Sequence, residues 1–379
     1  MTELHGEVAP GFESVADAFR ANFADADEIG AACCVYAGGR AVVDVWAGFA
    51  DREAARPWTG DTAVLVFSAT KGVTAICAQR LAEEERLDLD APVARYWPEF
   101  GAAGKERITL RTVLSHQAGL PTVDADVTME DVLAWEPVVR ALAAQRPQWT
   151  PGTCHGYHFR TYGWLMGEVA RRVTGTTLGR WFADAIARPL GLEFWIGLPE
   201  AEERRVARLY PPPPLPEAFL AQDTLLGRAA TGPSNLFCYD ERWNTRPLHA
   251  AEMPSSNGIG TARALARLYA ATIGEVDGRR LLRAETIAAA SRVQAEGDDA
   301  VLPFPTRFGT GFMLPPTLGL HTRPGAFGHP GAGGSLGMAD PEAGFALGYV
   351  MNRMQLGLTV DARADRLVAA TYAALGGGR

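Results

Sequence analysis

The chain has 379 residues, too many for one ordinary hydrophobic core and enough for two lobes or a domain carrying a large insertion. Its 44 acidic and 36 basic side chains give a formal charge of −8, and no Lys/Arg run or basic patch interrupts that balance, which argues against nucleic acid as a partner. An apolar content of 47% fits an ordinary globular protein; no window approaches the roughly 18–20 apolar residues of a membrane span, and the acidic start Met1-Thr2-Glu3-Leu4-His5-Gly6-Glu7 precedes no signal-like stretch, so a cytoplasmic protein without a membrane partner is expected.

Apolar residues at helical spacing (Phe12, Val15, Ala16, Phe19, Phe23) predict a first helix from Phe12 to Asp25. Two strand-like runs, Ala31–Tyr36 and Ala41–Ala47, flank Gly38-Gly39 and predict a hairpin. The apolar run Ala63–Phe67 leads into Ser68, from which a buried helix is expected to run to about Glu85. The middle of the chain is helix and loop, with helices expected at Leu110–Ser115, Met129–Gln145, Tyr162–Val173 and Leu178–Ile186. Tyr210-Pro211-Pro212-Pro213-Pro214 reads as an extended connection. A helix at Ala262–Ile273, strands at Gly309–Leu314, Ala326–His329, Ser335–Ala339 and Phe345–Met351, and a last helix from Asp361 to about Leu375 follow. The expected fold class is therefore α/β (α+β): an antiparallel sheet flanked by helices, built from N- and C-terminal segments, with a helical lobe inserted. Within a single domain, 1–379, the lobes are placed at 1–66 plus 255–379 and at 67–254.

The five cysteines (Cys33, Cys34, Cys77, Cys154, Cys238) form no CxxC pair and read as reduced thiols. His155 beside Cys154 has no second cluster at ligand spacing, so no metal and no cofactor are expected. Of 36 basic side chains only Lys71 and Lys105 are lysine. Where arginine serves almost everywhere, a lysine marks a place where arginine fails.

Two serines compete as nucleophile. Gly333-Gly334-Ser335-Leu336-Gly337 matches the G-x-S-x-G elbow, which needs a helix after the serine and a later histidine. A turn and another strand follow instead, and no histidine comes after His329. Ser68-Ala69-Thr70-Lys71 fits better. The serine starts a helix, where free N–H groups and the helix dipole favour negative charge, and the i, i+3 spacing puts Lys71 on the same face. Lysine acts as a base when burial or a neighbouring cation lowers its pKa; arginine stays protonated.

With these motifs in view, the chain resembles the serine β-lactamase and penicillin-binding-protein superfamily, and within it the class C-like esterases, the family VIII carboxylesterases. The resemblance runs from about residue 12 to 375 and rests on ordered blocks. These are Val66-Phe67-Ser68-Ala69-Thr70-Lys71-Gly72, Leu87-Asp88-Leu89-Asp90-Ala91-Pro92-Val93, Ile108–Leu120 with its Leu114-Ser115-His116-Gln117, Pro151-Gly152-Thr153, Tyr157-His158, and Ser256-Asn257-Gly258-Ile259-Gly260-Thr261. The family's Tyr-x-Asn falls on Tyr157, His158 and Phe159, which makes Tyr157 the third catalytic residue, its phenol acidified by a neighbouring ammonium. Phe159 lacks the amide that would bind a substrate carbonyl. The family's Lys-Thr-Gly falls on His329-Pro330-Gly331, where a neutral imidazole replaces a permanent cation and still offers a hydrogen bond to the tyrosine or the substrate. Proline there requires an edge strand. The resemblance implies an oxyanion hole from the N–H groups of Ser68 and Ala332, and substrate contacts from His158, Phe159, His329, Gly331 and Asn257. His116 is expected to be structural, and Trp149, Trp195, Phe237 and Trp243 are candidates to wall an acyl pocket.

The function these readings imply is a carboxylesterase that cleaves short-chain esters through an acyl-Ser68 intermediate, with a small-molecule ester as its partner. An amidase, D-amino-acid peptidase, acyltransferase or weak β-lactamase on the same scaffold is the alternative, and a non-catalytic binding relative the more distant one. The oligomeric state stays open, a homo-oligomer included.

Overall fold

The computed structural model describes residues 2–212, 217–355, 357 and 361–376, and only the backbone of residues 218 and 219. Its strands in chain order are β1 (Leu4–Val8), β2 (Gly30–Ala37), β3 (Arg40–Asp51), β4 (Arg56–Pro57), β5 (Val64–Leu65), β6 (Phe194–Trp195), β7 (Ile259–Gly260), β8 (Ala295–Gly297), β9 (Thr306–Phe308), β10 (Phe327–Pro330), β11 (Leu336–Asp340) and β12 (Phe345–Met351). The main sheet is antiparallel, in the order β1-β3-β2-β12-β11-β10, with β4 paired to β3. N-terminal and C-terminal segments thus meet along β2 and β12, and the expected fold class holds. The hairpin between β2 and β3 turns on Gly38 (φ 56°) and Gly39 (φ 77°), the two positive φ angles of a type I′ turn.

Every residue of β12 is buried, because helices cover both faces of the sheet. On one face, Cys33, Val35, Leu347 and Tyr349 pack with Phe19 and Leu367 from the helices Glu13–Asp25 and Ala362–Gly376. On the other, Cys34, Tyr36, Ala346 and Val350 pack with Leu265 and Tyr269 of the helix Ala262–Ile273. Strand alternation sends Cys33 and Cys34 to opposite faces. The three cysteines Cys33, Cys34 and Cys77 are buried free thiols.

The helix Ala69–Glu83 is buried along most of its length, which explains its lack of a polar stripe. It lies against β10, the edge strand, where Pro330 needs no ladder N–H. Ahead of it, β5 pairs with β7, so a short three-stranded sheet (β5-β7-β6) fixes the approach of the chain to Ser68.

Two expectations need correction. The helix expected over Met129–Gln145 is two, Met129–Ala134 and Glu136–Ala144, broken at Trp135 (φ 68°). Pro137 removes an N–H and its ring collides with the carbonyl four residues earlier, which outweighs the continuous apolar spacing. Gly309–Leu314 is not a strand; the pairing there is carried by β9 and by isolated bridges at Met313. The acidic N-terminal stretch, for which no element was expected, forms β1 on the far edge of the sheet. In the proline-rich connection Tyr210 bridges Arg353, and Pro213 and Pro214 lie outside the described residues.

Candidate active site

Ser68 occupies the N-cap of the buried helix but does not behave as a cap. Its backbone is helical (φ −66°, ψ −12°) and its hydroxyl makes no capping bond, although serine at this position ordinarily accepts an N–H. The oxygen is left for chemistry. Phe67 just before it sits at φ 43°, a left-handed conformation that costs a bulky residue roughly 1–3 kcal/mol. Its surroundings hold it there: Thr70 Oγ1 donates to the Phe67 carbonyl (2.5 Å), accepts from Gly258 N (2.9 Å), and the Phe67 ring meets Tyr239 and Trp243 edge-on.

Lys71 is fully buried, with Nζ 3.1 Å from Ser68 Oγ, 2.7 Å from the Phe159 carbonyl and 3.1 Å from the Ser255 carbonyl. Burial, then the Arg160 charge, pushes its pKa well below that of a free lysine. A neutral amine has two N–H donors and one lone pair. In that form the two carbonyls take the donors and the lone pair is left for Ser68 Oγ, the atom to which the ammonium form donates. This is the geometry of a base ready to accept the Ser68 proton.

Tyr157 stacks beside this pair, with Lys71 Nζ 4.8 Å from its ring centroid. Its phenol is not acidified as the sequence suggested. Burial raises its pKa, and the Ser68 hydroxyl and the Arg160 charge oppose that only in part. Burial also disfavours the charged form of the Lys71 amine beside it, which weakens the stabilisation an ammonium would give a phenolate. Tyr157 therefore keeps its proton. Its backbone N–H is anchored by Asp299 Oδ1 (3.0 Å), whose other oxygen accepts from Thr306, and Thr306 in turn bonds His155 Nε2.

At β10, His329 Nδ1 lies 2.7 Å from the Pro330 carbonyl, so that nitrogen carries the proton and Nε2 is an acceptor. Nε2 is buried without a partner, and burial followed by the Lys71 charge pushes the ring down to about 3. The imidazole stacks on Tyr157 at 6.0 Å. Where a permanent cation would repel protons, this chain presents a lone pair.

The segment after β10 passes close to the stretch that leads into Ser68. A Cβ on Gly331 would come within 2.0 Å of the Val66 carbonyl, so only glycine lets the two backbones approach. Ser335 Oγ donates to that same carbonyl (2.7 Å) and is buried. The second serine is thus a tie between the strand and the segment that leads into Ser68. The N–H groups of Ser68 and Ala332 donate to no other described residue.

His158 and Asn257, expected among substrate contacts, are occupied elsewhere. His158 Nδ1 meets the Gly156 carbonyl (2.6 Å) and Nε2 accepts from Leu120 N (3.0 Å), so neither nitrogen is left for a substrate. Asn257 binds Met253 N, Leu248 O and Ala251 O, and so shapes the loop that presents Ser255 to Lys71. His116 Nδ1 accepts from His158 N, in keeping with a structural role. Phe159 turns its carbonyl to Lys71 and its ring to Tyr157 (4.7 Å).

Arg160 escaped the sequence reading. It is buried, Nε and Nη2 lack partners among the described residues, and its guanidinium lies 5.3–5.4 Å from the ring centroids of Phe237, Tyr239 and Trp243. An aromatic box holds the cation through the ring quadrupoles. Two of the four aromatics offered as an acyl wall thus serve this arginine, and Trp195 packs against Arg205 instead. Among the described residues, no group of three or more His, Cys, Asp or Glu is arranged to hold a metal ion, and no helix is long and apolar enough to cross a membrane.

Comparison with known proteins bears on this site. The esterase/beta-lactamase LipL of Mycobacterium tuberculosis is 40% identical over 362 residues, covering 93% of this chain and 83% of that protein. A family VIII carboxylesterase of known structure superimposes with a TM-score of 0.90 at 40% identity, covering 98% of this chain and 100% of the other. A penicillin-binding-protein homolog from Caulobacter crescentus gives 0.90 at 38% identity, covering 98% and 100%. The profile of the beta-lactamase family matches residues 15–371, nearly the whole chain, and on that match this protein, a serine hydrolase by fold, belongs to the beta-lactamase family.

Proposed function

We propose that the protein is a carboxylesterase acting on small esters through an acyl-Ser68 intermediate. The observation that carries this is the setting of Lys71, fully buried with Nζ on the Phe159 and Ser255 carbonyls and 3.1 Å from Ser68 Oγ, so that the neutral amine keeps its lone pair for that hydroxyl. Lys71 accepts the serine proton as Oγ attacks the ester carbonyl, and the N–H groups of Ser68 and Ala332 hold the developing oxyanion. Tyr157, still a phenol, donates its proton to the departing alkoxide and is reprotonated from the Lys71 ammonium. Water then repeats the cycle on the acyl-enzyme, with Lys71 as base.

The substrate class is argued from His329 and Phe159. The unpartnered His329 Nε2 lone pair suits a neutral group or a hydrogen-bond donor and is a poor receiver of a carboxylate. Phe159 replaces an amide by a hydrophobic ring. Both favour an uncharged ester over a carboxylate-bearing β-lactam or peptide terminus. The relatives support the reading by name, as esterase/beta-lactamase and as family VIII carboxylesterase. Steady-state rates on matched p-nitrophenyl esters, p-nitroanilides and a chromogenic cephalosporin test it. Ester turnover well above the other two is expected; faster amide or cephalosporin turnover would overturn it.

A further inference from the structure

Far from the cleft on the sequence, Arg363 is joined directly to the loop behind Ala332. The side chain is 1% exposed and all five of its N–H groups are used. Nε and Nη2 reach Asp361 (2.9 Å each), Nη1 reaches Glu28 Oε2 (2.8 Å) and the Arg353 carbonyl (3.0 Å), and Nη2 also reaches the Gly333 carbonyl (2.6 Å). Two carboxylates orient the guanidinium from behind, and Tyr349 Oη donates to the Glu28 oxygen at 2.5 Å.

The carbonyl it grips belongs to a tight turn. Gly334 N donates to the Gly331 carbonyl (3.1 Å), and Gly333 has φ +90°, the positive angle that a type II turn requires at its third residue. Ala332 is the second residue of that turn, so its N–H takes no part in the closing bond. The guanidinium packs tightly against the turn: a Cβ on Gly334 would lie 2.6 Å from Arg363 Nη2. Gln355 N donates to the same Gly333 carbonyl at 3.2 Å.

We propose that Arg363 is a positioning residue for the reaction, clamping the Gly333 carbonyl so that the turn aims the Ala332 N–H at the substrate oxyanion. This rests on the reading of Ala332 as half of the oxyanion hole. A lysine has three donors on one nitrogen in place of the five bonds of the planar guanidinium and cannot span Asp361, Glu28 and Gly333 at once, so Arg363→Lys frees the turn while keeping the charge. Glu28→Gln keeps an oxygen for Arg363 and leaves the bond to Gly333 in place.

The test measures kcat and KM per active site, counted by burst titration, for both variants, with the affinity of a boronic-acid inhibitor whose oxygen enters the hole. Arg363→Lys is expected to lower kcat about 10- to 100-fold with KM little changed and to weaken the boronate in proportion. Glu28→Gln is expected to keep kcat within about threefold, whatever it does to the unfolding midpoint. Counting sites restricts the comparison to folded enzyme. Wild-type kcat and boronate affinity in Arg363→Lys, or equal losses in both variants, would overturn the proposal. If Ser68→Ala retains turnover, the underlying esterase reading has failed instead, and the two failures are distinguishable.

Discussion

The two lysines of this chain are both buried, both held by three oxygens, and chemically opposite. Lys105 Nζ meets three carbonyls, those of Ala102 (2.9 Å), Ala143 (3.0 Å) and Gln145 (2.6 Å). Three acceptors match the three donors of an ammonium, so the proton stays although burial lowers the pKa, and Glu106 opposes that lowering. Lys71 meets two carbonyls and one hydroxyl, with an unpaired arginine nearby instead of a carboxylate. On the proposed mechanism, one acceptor exchanged for a hydroxyl turns a structural cation into a base. Scarcity of lysine marked both positions, and only the partners separate them.

The comparison breaks most visibly by substitution at the lysines themselves. Ser68→Ala should lower kcat on the order of 10⁴–10⁶-fold, and Lys71→Arg by about 10²–10⁴-fold despite the retained charge, because a guanidinium offers no lone pair. Steady-state kinetics on a chromogenic ester reads both, and an active Lys71→Arg enzyme would show that the lysine serves only as a charge. Lys105→Met should do the reverse: a loss of about 1.5–3 kcal/mol in denaturant unfolding, with kcat preserved in the folded enzyme. A drop in kcat without a drop in stability would contradict the division of roles.

Arg160 sharpens the comparison through pH. On the proposed mechanism Lys71 must be a neutral amine to accept the proton, so activity is expected to fall as pH drops through its pKa. The Arg160 charge lowers that pKa, hence Arg160→Gln should move the acid limb of the kcat/KM profile to higher pH. An unmoved limb would leave burial as the sole cause. The smallest effect belongs to Ser335→Ala, which removes one bond to the Val66 carbonyl. It should cost about 1 kcal/mol of stability and change kcat by less than about threefold.

How much of this was legible depended on distance along the chain. Ser68 and Lys71 could be paired because i, i+3 on a helix is a local relation. Tyr157 and Ala332 came only through family resemblance, since nothing local links them to the serine. The carbonyls of Phe159 and Ser255, which decide the state of Lys71, carry no residue-type signal at all; any residue could supply them. Arg160 was hidden among 34 arginines, and its aromatic box is gathered from Phe237, Tyr239 and Trp243, far along the sequence. Strand β1 was missed because an exposed edge strand with Gly6 at its centre shows little apolar alternation. The break at Trp135 has a local signal in Pro137, which is favoured in the first turn of a helix, but the apolar periodicity runs on across it.

Mass spectrometry of the acyl-enzyme formed with a short-chain chromogenic ester, followed by peptide mapping, tests the central claim most directly. The account predicts one acyl group, on Ser68, in the wild type and none in Ser68→Ala. An acyl group on Ser335, or turnover in Ser68→Ala without any acylation, would contradict it.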